Sequence, residues 1–165
     1  MTDTPKKKGY GRVFVILLVV GLLILVPLTW LALRMSRDAQ RRRVVNANEA
    51  AAIYTLEQIA AAEQLHFQTY EGQYATFRQL LDAGLFKAPL DGDAAIASAG
   101  YTFTVKVTPK TDAQGSSYSV NADPRESGTT GNRHFYIDSN VTGMRFSEGR
   151  PATATDPPRL TSETY

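Results

Sequence analysis

From Val13 to Leu33 the chain runs VFVILLVVGLLILVPLTWLAL without a single charge. As a helix of ~1.5 Å rise per residue this stretch spans about 31 Å, close to the ~30 Å hydrocarbon core of a bilayer. Helical hydrogen bonding satisfies its backbone while its side chains face lipid. Trp30 sits near the second boundary, at headgroup level. The run is longer than the roughly 7–15 residues of a signal-peptide core, and its exit, Leu31-Ala32-Leu33-Arg34, has no small-residue cleavage pattern. The pattern predicts one membrane anchor, Val13 to Leu33, with the lipid bilayer as its partner. Pro27 removes one backbone bond within it and predicts a kink.

Beyond the anchor the period changes. Ser36 to Tyr70 lacks Pro and Gly and is rich in helix formers. Ala52, Leu56, Ile59, Ala60, Phe67 and Tyr70 recur at spacings of three and four, an apolar stripe that starts near Val45. The helix is expected to run from about Arg12 to Tyr70 and to stop at Gly72. Thr76 and Gln79 form a capping box for a short second helix, which Gly84 ends. Residues 87–100 read as a loop. Alternation then marks strands at Tyr101, Phe103, Val105 and Val107, at Tyr118, Val120 and Ala122, at Phe135 and Ile137, and at Met144 and Phe146. The expected fold class is α+β: a long N-terminal helix, transmembrane in its first half, packed on a three- or four-stranded antiparallel sheet. Leu56, Ile59, Phe67, Tyr101, Phe103 and Val105 are its expected helix–sheet core. The organisation is a basic tail (1–12), the anchor (13–33), a basic juxtamembrane stalk (34–43), an α+β domain (44–146) and a flexible, proline-containing C-terminal tail (147–165).

Charge sharpens this picture. The tail before the anchor carries four basic residues and one acidic, the stalk five and one, and the remaining 122 residues nine against fourteen. The basic groups thus belong to the membrane surface and the domain is acidic, which argues against nucleic acid as a partner. The positive-inside count is nearly balanced, but a long domain translocates largely regardless of charge. The short basic tail suits the cytoplasm and the domain the far side. Cysteine is absent, which removes disulfides and thiol chemistry.

Candidate chemistry is sparse. His66 and His134 are the only imidazoles, and His66 has no acidic residue three or four positions on; both are expected at the surface or rim. No hydrolase elbow, phosphate loop or metal-binding motif occurs, and no catalytic, cofactor-binding or metal-ligating residue is assigned. Gly9-Tyr10-Gly11 precedes a membrane span rather than following a strand. Asn140-Val141-Thr142 fits a glycosylation triplet but is explained as a turn. Glu63, on the edge of the stripe, is expected to bond a strand or loop amide. Tyr54, Tyr70, Tyr74, Tyr101 and Tyr118 are expected in the core. No small-molecule substrate is evident.

Several segments, taken in order, resemble a known family. They are Ala50-Ala51-Ala52-Ile53, Leu56-Glu57-Gln58-Ile59, Ala62-Glu63, Phe67 and Tyr70, then Gly72-Gln73-Tyr74-Ala75-Thr76-Phe77 and Leu80. Gly100-Tyr101-Thr102-Phe103 and Tyr118-Ser119-Val120-Asn121-Ala122-Asp123-Pro124 follow. The series closes with Gly128 to Asp138 and Gly143-Met144-Arg145-Phe146. From Val44 to Phe146 the chain is similar to bacterial type IV pilins and pseudopilins of the minor-pilin kind. The resemblance implies a pilin-like fold and a non-enzymatic single-pass subunit of the bacterial cytoplasmic (inner) membrane, with its C-terminal domain extracytoplasmic. Its implied partners are other pilin-like subunits or the machinery of a type II secretion system, type IV pilus or envelope assembly. It also implies a leader-peptidase junction at Gly9 and Tyr10. Here Gly11 and Arg12 intervene before the apolar run, and Val13 to Ile16 lacks the family's glutamate, so Met1–Gly9 is expected to remain attached. The alternative is a single-pass protein whose extracytoplasmic domain binds a ligand or senses.

Overall fold

A computed structural model describes residues 10–92, 94–140 and 143–158. It contains a helix α1 (Tyr10–Thr69), a short helix α2 (Phe77–Asp82) and strands β1 (Ala95–Ser98), β2 (Tyr101–Thr108), β3 (Ser117–Pro124), β4 (Arg133–Asp138) and β5 (Arg145–Glu148). The chain divides into two compact units, Met1–Arg41 and Arg42–Tyr165.

In the first unit the helix is continuous through Pro27, and the large apolar side chains from Phe14 to Leu33 are exposed. This segment is long and apolar enough to cross a membrane. Thr29 returns its hydroxyl to the Val26 carbonyl at 2.9 Å, which satisfies that hydroxyl within the helix itself. The Arg34 guanidinium lies 5.4 Å from the Trp30 ring centroid, a cation–π contact at the boundary.

In the second unit the rest of α1 buries Val45, Glu49, Ala52, Ile53, Leu56, Ile59, Ala62, Glu63 and His66, a three-and-four spacing that keeps them on one face. That face packs on an antiparallel sheet of order β1-β2-β3-β4-β5. Ile96, Tyr101, Phe103, Val105, Val120, Ala122 and Phe135 close the core from the sheet side, with Phe77 and Leu80 of α2 beside them. The capping box forms as the sequence predicts: Thr76 Oγ1 accepts from Gln79 N, and Gln79 Oε1 accepts from Thr76 N.

Three features differ from expectation. The sheet has five strands rather than three or four, because Ala95–Ser98, read as loop, pairs with β2 through Ile96 and Phe103. Tyr54 and Tyr70 are exposed rather than in the core: Tyr54 falls on the side of α1 opposite Leu56 and Glu63, and Tyr70 lies just past the helix end at Thr69. Residues 147–158 of the expected loose tail carry specific contacts: Ala152 is buried, its carbonyl accepts from Asn121 Nδ2 at 2.7 Å, and Pro158 bridges to Arg145. Residues 159–165 lie outside the described residues, as do Gly9 of the proposed junction and Val141-Thr142 of the triplet.

Candidate functional site

The second unit's polar chemistry is concentrated along the buried face of α1. Glu49 is 2 % exposed. Its Oε1 accepts the backbone amides of Asn132 and Arg133 at 2.8 and 3.2 Å, and its Oε2 pairs with Arg133 Nε at 2.7 Å. At the preceding position, Asn48 Nδ2 donates to the Thr130 carbonyl at 2.9 Å. Together they fasten the helix to the loop that enters β4. Gly131 is the pivot of that loop: a Cβ there would lie 2.0 Å from Tyr101 Oη, and that hydroxyl donates to the Arg133 carbonyl at 2.8 Å. Only glycine lets the backbone pass so close to a fully buried ring. Removing one member of such a buried ion pair costs about 3–5 kcal/mol, because the other charge is stranded.

The C-terminal end of α1 holds a second cluster. Glu63 is fully buried; Oε2 accepts the Ala75 amide at 2.9 Å, while Oε1 is buried without a hydrogen-bond partner. Burial pushes its carboxyl up from the ordinary 4.5 to about 7, and the Ala75 amide offsets part of that rise. The Tyr118 and Tyr74 phenols are also raised, first by burial and then by the charge on Glu63. His66 Nδ1 lies 2.9 Å from the Gln73 carbonyl, which can only accept, so Nδ1 carries the proton and Nε2 is left as an acceptor. The His66 and Tyr70 rings stack at 4.2 Å. Tyr74 lies 4.7 Å from both Phe67 and Tyr118, and its amide donates to Ser116 Oγ. Two helix side chains thereby hold the turn from Tyr70 to Thr76, where Glu71 and Gly72 have φ of 51° and 75°.

On the other sheet face, His134 Nδ1 meets Asp123 Oδ1 at 2.6 Å. Asp156 anchors the segment after β5 by pairing with Arg150 and accepting from Thr153 N at 2.8 Å. The Arg150 contact holds the Asp156 carboxyl well below the usual carboxylate range. Among the described residues, no group of three or more His, Asp or Glu is placed to hold a metal ion.

Of the residues singled out from sequence, Leu56, Ile59, Tyr101, Phe103 and Val105 meet in one cluster. Phe67 does not join it; it is half-buried at the helix end, over Gly72 and against Tyr74. Val13, Trp30 and Leu33 lie in the apolar part of α1, and Tyr10 opens that helix. Glu63 does bond a loop amide, but it is fully buried rather than at the stripe's edge. His66, expected at the rim, is buried. Glu49 was not anticipated, because its partners lie 83 and 84 residues on; the available signal was a carboxylate midway between Val45 and Ala52–Ile53 on the buried arc.

Comparison with protein-family models, curated proteins and solved structures finds no match to this chain.

Proposed function

We propose that this chain is a non-enzymatic, single-pass subunit of the bacterial cytoplasmic membrane, pilin- or pseudopilin-like in kind, which acts through protein–protein contacts in a secretion, pilus or envelope assembly. The observation that carries the reading is a single helix, Tyr10–Thr69, that is apolar and uncovered from Phe14 to Leu33 and carries a sheet-packed stripe from Val45 to His66. The resemblance of Val44 to Phe146 to pilins implies the same division of labour. A filled helix–sheet core supports it over an interior sensory chamber. Past Arg42, the helix keeps Val44, Tyr54 and Leu65 exposed, so apolar surface is available for contact.

Two experiments test it. Protease added to intact spheroplasts should digest the domain; a protected domain overturns the topology. A photo-crosslinking residue placed at Tyr54 in cells should capture pilin-like or secretion-machinery proteins. Adducts only with unrelated proteins, or none, would remove the assembly role.

A further inference from the structure

A surface hollow of about 470 Å³ lies where the end of α1 meets α2, lined by His66, Tyr70, Gln73, Tyr74, Gln79 and Asp82. His66, Gln79, Tyr70 and Tyr74 are held in place by contacts of their own. Gln79 Oε1 is taken by the Thr76 amide at 2.8 Å and the Thr76 hydroxyl at 3.0 Å, so the amide orientation is fixed and Nε2, with two donors, is the uncommitted end. The Nδ1 bond of His66 fixes its tautomer, and Nε2 has no hydrogen-bond partner among the described residues. Stacking on His66 holds the exposed Tyr70 ring, and Phe67 and Tyr118 hold the Tyr74 ring. Asp82 makes no ion pair among the described residues and adds two acceptor oxygens.

The hollow thus combines a fixed acceptor (His66 Nε2), fixed donors (Gln79 Nε2), the Asp82 carboxylate, two phenols and an exposed ring face. No lysine or arginine lines it, which disfavours an anion, and it lacks the aliphatic walls that an acyl chain needs. A ring carrying several hydroxyls donates and accepts at adjacent positions and presents an apolar face, so it matches this set. We propose that the junction of α1 and α2 is a binding site for a neutral saccharide, whose hydroxyls engage Asp82, Gln79 and His66 and whose ring lies against Tyr70. The site is independent of the assembly role: loss of saccharide binding would leave the crosslinking result at Tyr54 untouched, and the reverse.

The test uses the full chain in a detergent without a sugar headgroup. Maltotriose, cellotriose and chitotriose are titrated separately and followed by saturation-transfer NMR. At least one should receive saturation from the protein, and Asp82→Asn and Tyr70→Ala should each weaken its binding roughly tenfold, the loss of one hydrogen bond to a charged group or one ring contact. Tyr54→Ala, an exposed tyrosine elsewhere on α1, should bind like the parent, and circular dichroism of each variant confirms its fold. No transfer to any of the three sugars overturns the proposal. So does binding unchanged in both Asp82→Asn and Tyr70→Ala, or a lysine-containing peptide binding at this hollow while the sugars do not.

Discussion

Replacing Glu63 by glutamine keeps the acceptor for the Ala75 amide and removes the charge. In the folded domain the carboxyl titrates near 7 against an ordinary 4.5, a difference of 2.5 units. At ~1.36 kcal/mol per unit this is about 3 kcal/mol. Because the folded value is raised, the native state holds a proton that the unfolded chain has already released between these two values. The native state is therefore penalised progressively as pH rises from about 4.5 to about 7, and the full penalty stands above that. Glutamine carries no such proton. Its amide meets the same partnerless space as Glu63 Oε1, a cost of roughly 1–3 kcal/mol, but that cost is constant with pH. The observable is therefore a difference in slope. Urea unfolding of the full chain in micelles, followed by near-ultraviolet tyrosine dichroism at pH 5 and pH 8, should show Glu63→Gln gaining about 2.5 kcal/mol on the parent between the two conditions, since part of the penalty is already present at pH 5. Equal pH dependence in parent and variant would refute the argument that a buried, half-satisfied carboxylate sits at this helix end.

Further outcomes follow from the same contacts. Gly131→Ala should lower stability by at least 1–3 kcal/mol, the usual range for overpacking, because the new methyl cannot share space with Tyr101; thermal unfolding reads this, and an unchanged midpoint would show that the loop yields freely. Glu49→Ala should cost about 3–5 kcal/mol by breaking a buried ion pair and leaving the Asn132 and Arg133 amides without their acceptor, and Glu49→Gln, which retains an acceptor for the two amides, should cost less in the same urea titration. Asp156→Asn should make residues 147–158 more sensitive to limited proteolysis at neutral pH; since its carboxyl is held low, the parent should reach that sensitivity only as pH falls through the acid range. Gly21→Arg places a charge at the middle of the anchor, a cost of roughly 2.5–3.5 kcal/mol on the insertion scale, and fractionation should show the variant shifting out of the membrane pellet.

The elements with strong period were legible from sequence. The α1 stripe, the Thr76–Gln79 box and the alternation of Tyr101, Phe103 and Val105 each state their partners' geometry locally. β1 was not legible, because Ala95-Ile96-Ala97-Ser98 has a single large apolar residue and becomes a strand only by pairing with β2. The polar cluster at the helix end was half legible. Glu63 declared itself as a charge on an apolar arc, but nothing local tells how deeply a carboxylate is buried. Tyr54 and Tyr70 misled for the converse reason: an aromatic ring is core only where the neighbouring layer covers it, and Tyr54 faces away from the sheet while Tyr70 lies past the end of α1.

The sheet's strict neighbour order has a consequence for how the domain forms. Each strand pairs with the one that precedes it in the chain, so the loops to be closed are short and their entropic cost is small. As the chain emerges from the ribosome or a translocation channel, the meander can assemble hairpin by hairpin. The clasp between Glu49 and Arg133 spans 84 residues and cannot close until the start of β4 has arrived. Helix docking is therefore scheduled late, and a nascent chain halted before Asn132 would carry Glu49 with neither backbone amide to receive it. A chain stalled there should be protease-sensitive in the stretch of α1 from Val45 to His66, whereas one extended past Glu148 should not.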